Sequence, residues 1–206
     1  MYKEIEKSSA RKKILHSAEQ LFIQKGYNNT SVRDVCRAAK VNIALINYYF
    51  TSKEDLYKEV IRLKTEPIIR SLKELSEDKE ISAKDKFYKL FDIYAAFYEE
   101  NCNLPQLIAR EVVTNTEISR WFHTHIIAKE LKYIKDIFSE AQRFGIINDR
   151  YEPVVLMSFC LGAMMFILAG SQMVDKLLGK EYTIKGSITE KMETIKDLLL
   201  NGVINK

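Results

Sequence analysis

Four side chains in this chain have the types and spacing to read base-pair edges: Arg33, Ile43, Ala44 and Asn47. An arginine fork matches the two acceptors of guanine, an asparagine amide matches adenine, and Ile or Ala suits a thymine methyl. Tyr48 and Tyr49 stand beside them and can hold the sugar–phosphate backbone, which fixes orientation without reading sequence. Such contacts discriminate only when a narrow, rigid element carries them into a major groove. The stretch around them must therefore be a short helix with firm support.

That stretch runs TSVRDVCRAAKVNIALINYYFTSK, from Thr30 to Lys53. Thr30 and Ser31 offer oxygens to cap a helix start, and Asp34, three residues after Ser31, completes a short-armed capping box. Val35, Cys36 and Ala39 give this helix its apolar face. Lys40, Val41 and Asn42 make the turn, with Asn42 placed to cap the next helix. Ile43, Ile46, Tyr49 and Phe50 then form an apolar face opposite Ala44, Asn47 and Tyr48. Two short helices joined by such a turn are a helix-turn-helix, whose second helix enters a major groove. A preceding helix over residues 8–25, stopped by Gly26, presents Ile14, Ala18, Leu21 and Phe22 as its packing surface. A fourth helix opens at Ser52, with Asp55 three residues on. It runs through Leu56, Val60 and Leu63 to Pro67, where a missing N–H marks a hinge.

These residues resemble the TetR family of bacterial transcriptional regulators. The family pattern of T-S-V-R-D-I-A, a G-V turn, a short helix ending Y-Y-H-F, and S-K-E-x-L is met by Thr30–Cys36, Val41, Tyr48-Tyr49-Phe50 and Ser52–Leu56. The likeness reaches back to Ile14 through LHSAEQLFIQKG. Lys40 stands where the family usually has Gly, Cys36 where it has Ala, and Asn47 where a Tyr is common. With the last departure, the operator cannot be borrowed from the better-known members. By resemblance, Lys53 touches a DNA phosphate, the chain pairs as a homodimer on a palindromic operator, and repression is relieved by a small-molecule effector. Thr30, Ser31 and Asn42, at the two helix starts, complete the DNA-facing set.

Charge is distributed to match. The net charge of +4 divides into 13 Lys/Arg against 7 Asp/Glu over residues 1–65, net +6, and 19 against 21 over the remainder, net −2. Basic charge at the reading end is what phosphate binding requires. Apolar residues at 47% and charged residues at 29% describe a globular chain and exclude a disordered one. With 3 Pro and 7 Gly, turn signals are few, as an all-helical fold needs. The three cysteines, at 36, 102 and 160, show no CxxC spacing and no signal peptide accompanies them, which implies reduced thiols in a cytoplasmic protein.

Beyond residue 83 the chain turns aromatic. Phe87, Leu90, Phe91, Tyr94, Phe97 and Tyr98 fall on one helical stripe, and Asn101-Cys102-Asn103 breaks it. A shorter helix spans Leu104–Val113, and a long one is expected from Glu117 to Phe144, ended by Gly145. Tyr94, Phe97, Tyr98, Trp121 and Tyr133, with Arg110, His125 and Lys129 among them, would line a mostly apolar ligand pocket. A plain core is the other reading of the same stripes. From Val154 to Val174 there are 21 residues without a charge, long enough to span a bilayer. A helix apolar all round is equally suited to burial between protein partners. Ser187-Ile188-Thr189-Glu190 is a second capping box and opens a last amphipathic helix. Two such helices from each of two chains would make a four-helix dimer interface, where the family places its own. Ser158, Gly162, Met165 and Ala169 on the first helix, with Ile188, Ile195 and Leu199 on the second, would face the partner chain.

The expected fold is all-α: a three-helix helix-turn-helix head over 1–55 and a helical ligand-binding and dimerisation domain over 56–206, about nine helices in all. No GxGxxG, GxxxxGKS, HExxH or GxSxG string occurs. His123 and His125 are two apart, on nearly opposite helix faces, so no metal site, cofactor or enzymatic activity is expected. The partners are then double-stranded DNA, a small hydrophobic or aromatic effector and a second copy of the chain, without a membrane. The alternatives are a DNA-binding protein with no ligand and a membrane-anchored helical regulator.

Overall fold

The computed structural model describes residues 2–101, 103–178 and 186–203. The described residues form helices joined by short turns: α1 (Tyr2–Lys25), α2 (Val32–Ala39), α3 (Ile43–Tyr49), α4 (Lys53–Glu77), α5 (Ala83–Glu100), α6 (Leu104–Val113), α7 (Glu117–Phe122), α8 (Ala128–Arg143), α9 (Pro153–Leu178) and α10 (Ile188–Val203). The all-α expectation holds. Two compact units are present, one ending at Glu66 and taking in Thr116–Ile118, the other comprising Pro67–Asn115 and the chain from Ser119 onward. The change of unit falls inside α4, after Glu66. The reason is that Leu56, Tyr57, Val60 and Ile61 in the first turns of α4 are buried, with the Tyr57 ring edge-on to Phe22 of α1 at 4.8 Å.

The first unit has a core of Ile14, Ala18, Phe22, Val35, Ile46, Phe50 and Leu56, all inaccessible or nearly so. Burial of this kind, at about 25 cal/mol per Å² of apolar surface, is what keeps the seven-residue α3 helical, since an isolated helix of two turns does not form. Ion pairs reinforce the packing: Arg11 of α1 bonds Glu59 of α4, and Lys64 meets Glu19 at 2.8 Å. Arg62 donates to the Glu59 carboxylate as well, and this holds the Glu59 pKa below the ordinary carboxylate range, with Arg11 assisting.

Helix ends follow local chemistry. Ser31 Oγ accepts from the Asp34 N–H at 3.1 Å and the Asp34 carboxylate accepts from the Ser31 N–H at 3.0 Å, so both halves of the capping box form. The Ser31 hydroxyl also donates to the Asp34 carboxylate at 2.6 Å, and this bond most, then the one from the Ser31 N–H, lowers the Asp34 pKa. Asn42 Oδ1 accepts from Leu45 N–H at 2.8 Å. Lys40 closes α2 at φ 55°, the left-handed region, and is the one non-glycine residue there among the described residues. A side chain in that conformation costs about 1 kcal/mol relative to the glycine common in related turns. Gly26 and Gly145 stop α1 and α8 with φ of 79° and 70°.

The second unit packs α5 against α8 and α10, with α9 against α6, α8 and α10. Phe87, Leu90, Phe91 and Tyr94 of α5 meet Ile134 and Phe138 of α8, the Phe87 and Phe138 rings lying 5.2 Å apart and edge to face. Lys86 is buried yet satisfied, donating to Glu140 at 2.9 Å and to the Ser76 carbonyl at 3.3 Å, which ties the end of α4 to α5 and α8. The helix expected from Glu117 to Phe144 is interrupted by a π-helical turn over His123–Ile127. Phe122, just before it, and Ile126, near its end, are both buried.

Candidate nucleic-acid interface

The recognition helix α3 is anchored by Ile46 and Phe50 and presents Ala44, Asn47 and Tyr48 to solvent. Ile43, expected on the apolar face and also as a thymine contact, is 49% exposed, so it belongs with the outward set. Tyr48 is 64% exposed and its ring stands edge-on to that of Tyr49 at 5.0 Å. Arg33, in the first turn of α2, is exposed, and neither its guanidinium nor the Asn47 amide has a partner among the described residues. Unsatisfied donors on a firmly held surface are what base reading needs.

Four residues counted with the DNA-facing set make internal contacts. Thr30 is only 1% exposed, and its hydroxyl donates to the Gly26 carbonyl at 2.9 Å and lies 3.3 Å from that of Leu21. It joins α1 to α2 and has no side-chain face left for a ligand. Ser31 and Asn42 remain exposed but spend their oxygens on the caps described above. Lys53 is half-buried: its Nζ donates to the Tyr27 carbonyl at 3.0 Å and sits 4.0 Å over the Tyr27 ring. An ammonium has three donors, so this arrangement aims the remainder while leaving the charge without a carboxylate partner among the described residues. Tyr27 as the holder of Lys53 carried no sequence signal, being 26 residues away.

The residues considered for a ligand pocket divide. Tyr94, Phe97 and Tyr98 lie in the core of α5, with the Tyr94 and Tyr98 rings stacked 6.0 Å apart. The Trp121 ring at the end of α7 stacks at 5.5 Å on that of His125 in the π-helical turn, with Trp121 and Tyr133 half-buried. Arg110, His125 and Lys129 are exposed and do not converge on the Tyr94 cluster. The crevice beside Tyr94, lined by Leu90, Phe91, Phe138, Met157 and Met164, has a volume of about 10 Å³. That is room for one water at most, so this region is packed core. The polar partner that sequence did not suggest is Glu130, which accepts the Tyr94 hydroxyl. Burial pushes the Glu130 carboxyl above its ordinary range, the Tyr94 bond opposing, and burial likewise raises Tyr94 and Tyr98. A carboxyl whose folded pKa lies above its unfolded value lends stability at low pH that is lost as pH rises through the folded value. Glu130→Gln keeps an acceptor for Tyr94 without the charge. Its melting temperature should exceed that of the parent above neutral pH, with the gap closing near pH 4; a gap independent of pH would refute this account of Glu130.

The residues expected at a dimer interface are also split. Ser158 and Gly162 are exposed on α9, Met165 is half-buried there, and a Cβ built on Gly162 meets no atom within 4 Å. Ile188 is half-buried, whereas Ile195 is 3% exposed and belongs to the core of its own chain, where α10 packs on α5 and α9. The side chains of Ala169 and Leu199, like Cys102, fall outside the described residues. What the sequence did not single out is the apolar stripe of Val155, Phe159 and Phe166, which runs along α9 on either side of Gly162 and is exposed throughout. Among the described residues no helix is long and apolar enough to cross a membrane, and no group of side chains could hold a metal ion. Cys36 and Cys160 are free thiols, and burial pushes Cys160 up to about 12, far from a reactive thiolate.

A two-helix reader with an exposed second helix, braced by α1 and the first turns of α4, defines a helix-turn-helix DNA-binding protein. Residues 14–60 match the model of the bacterial regulatory proteins of the tetR family. Over those residues the chain is similar to that family. It is 32% identical over 136 residues to the probable HTH-type transcriptional regulator YttP of Bacillus subtilis, a match covering 65% of each chain and so just under two thirds of that relative. It is 25% identical over 165 residues to IcaR of Staphylococcus epidermidis, the negative transcriptional regulator of the biofilm operon icaADBC, covering 66% of this chain and 88% of the relative. Among solved structures, the transcriptional regulator FadR of Bacillus subtilis, in complex with stearoyl-CoA, superposes with a TM-score of 0.74 over 93% of this chain and 98% of its own, at 19% identity. That likeness is one of fold.

Proposed function

We propose that the chain is a transcriptional repressor that binds a palindromic operator as a homodimer and is released by a small hydrophobic or aromatic effector. DNA reading is assigned to residues 1–55 and pairing and effector binding to 56–206. The observation that carries this reading is α3: a seven-residue helix anchored by Ile46, with Ile43, Ala44, Asn47 and Tyr48 outward and Arg33 unpartnered nearby. Asn47 suits adenine, Arg33 guanine, and Ile43 or Ala44 a thymine methyl, while Tyr48, Tyr49 and Lys53 suit the backbone. Pairing through α9 is supported by Val155, Phe159 and Phe166, since a contiguous exposed apolar stripe is characteristic of an interaction surface. A two-fold pair would present its recognition helices about 34–36 Å apart, or a multiple of that, and so favour a palindrome.

Repression is supported by the likeness to IcaR, described as a negative regulator. An apolar effector is supported by the stearoyl-CoA bound to FadR. With about 10 Å³ free beside Tyr94, an effector must open α5 from α8 and α9 to enter, and that movement is what could alter the spacing of the heads. Selection of bound duplexes from a random pool, followed by Asn47→Ala, tests the reading. The substitution should cost roughly 1–3 kcal/mol on the selected duplex and relax preference at one base pair per half-site. Equal loss on every sequence would contradict a base-reading Asn47.

A further inference from the structure

Some cations of the first unit are paired with carboxylates and others, Arg33 and Lys53 among them, are not so paired among the described residues. Arg11, Lys58, Arg62 and Lys64 are neutralised by Glu59, Glu54, Glu66 and Glu19. Lys13 and Lys40 have no carboxylate partner among the described residues, and both wall one groove of about 450 Å³ between α1 and the turn joining α2 to α3. His16 stands on the same wall, Ala10 and Ala38 leave the groove open between them, and no acidic residue lines it. Like charges gathered around a concave surface repel unless an anion is shared between them.

Two further observations point the groove toward DNA. Lys40 is three residues before Ile43, so their Cα atoms are within about 11 Å along the chain, and the turn reaches wherever the first bases are read. Lys40 also occupies a left-handed conformation, φ 55°, that a glycine would adopt without strain. A strained backbone that carries an unneutralised cation beside a recognition helix is an outlier that asks for a function.

We infer that this groove is a second phosphate site, in which Lys13, His16 and Lys40 hold the sugar–phosphate backbone flanking the bases read by α3. The inference rests on the DNA-reading proposal above and extends the contact surface beyond α2, α3 and Lys53. Its ligand is the phosphodiester of duplex DNA; free inorganic phosphate shares that chemistry and is the competing source.

The test compares the full chain with its Lys13→Ala/Lys40→Gly variant on the selected duplex. Both replacements suit their backbone positions, alanine in an exposed helix and glycine at positive φ, so the variant should fold and melt no lower than the parent. Removing two phosphate contacts should flatten the slope of log K against log salt by about 1.8 per chain, with base preference unchanged. Trimming the flanks of the duplex should weaken the parent and leave the variant unaffected. An unchanged slope in a variant whose parent binds normally overturns the groove site alone. A parent that binds no duplex overturns the DNA-reading proposal, and this inference with it. Protection of the parent from thermal unfolding by inorganic phosphate at fixed ionic strength, lost in the variant while the DNA slope stays constant, assigns the groove to a free anion and overturns the DNA site.

Discussion

Gly162→Leu should split the pair of chains and weaken operator binding by about 10²- to 10⁴-fold, the factor lost when two linked binding events become independent. Val155, Phe159, Gly162 and Phe166 recur at i, i+4, i+7 and i+11, which is one stripe of α9. Gly162 sits at its centre, with open space where a Cβ would stand. A leucine there costs its own chain nothing: the helix gains propensity of about 1 kcal/mol and no neighbour is struck. The damage should therefore fall wholly on a partner helix that uses the glycine for close approach. Sedimentation should show a single folded chain with unchanged helical content. A full-strength dimer would refute pairing through this stripe.

The second large effect belongs to the reading unit. Phe22 is inaccessible, edge-on to Tyr57 at 4.8 Å and 6.2 Å from the Tyr27 ring. Phe22→Ala should cost about 3–5 kcal/mol, a large share of what a unit of this size possesses. Tyr27 also carries the carbonyl and ring that hold Lys53, so the loss reaches the proposed phosphate contact as well as the support of α3. Calorimetry should show the transition of the first unit moved far down while the second unit melts as before, with operator binding abolished at 37 °C. Retained binding at full strength would contradict the account of α3 as a helix that holds its shape only through this core.

Much of the arrangement was legible because it is local. The caps at Ser31 and Asn42, the box at Ser187 and Glu190, and the stops at Gly26 and Gly145 each depend on residues within four positions, and each is where sequence placed it. The aromatic stripe of α5 was legible for the same reason, since a period of 3.6 marks a buried face. What sequence could not supply was pairing across the chain. Thr30 reads as a cap or a DNA contact until the carbonyls of Leu21 and Gly26 are seen to take its hydroxyl. Glu130 is unremarkable in sequence and becomes the partner of Tyr94 only when α5 packs on α8. Ile195 and the Phe159 stripe are both apolar patterns on helices, and periodicity does not say whether such a face meets its own chain or another. The π-helical turn has no glycine or proline to announce it.

The central claim is that two copies of one basic helix-turn-helix unit read one duplex together. Equilibrium sedimentation of the full chain with its selected duplex, repeated across a series of salt concentrations, tests it most directly. Two chains per duplex, with affinity falling steeply as salt rises and lost when one half-site is scrambled, is the result expected. A single chain per duplex, or no complex even at low salt, would contradict it.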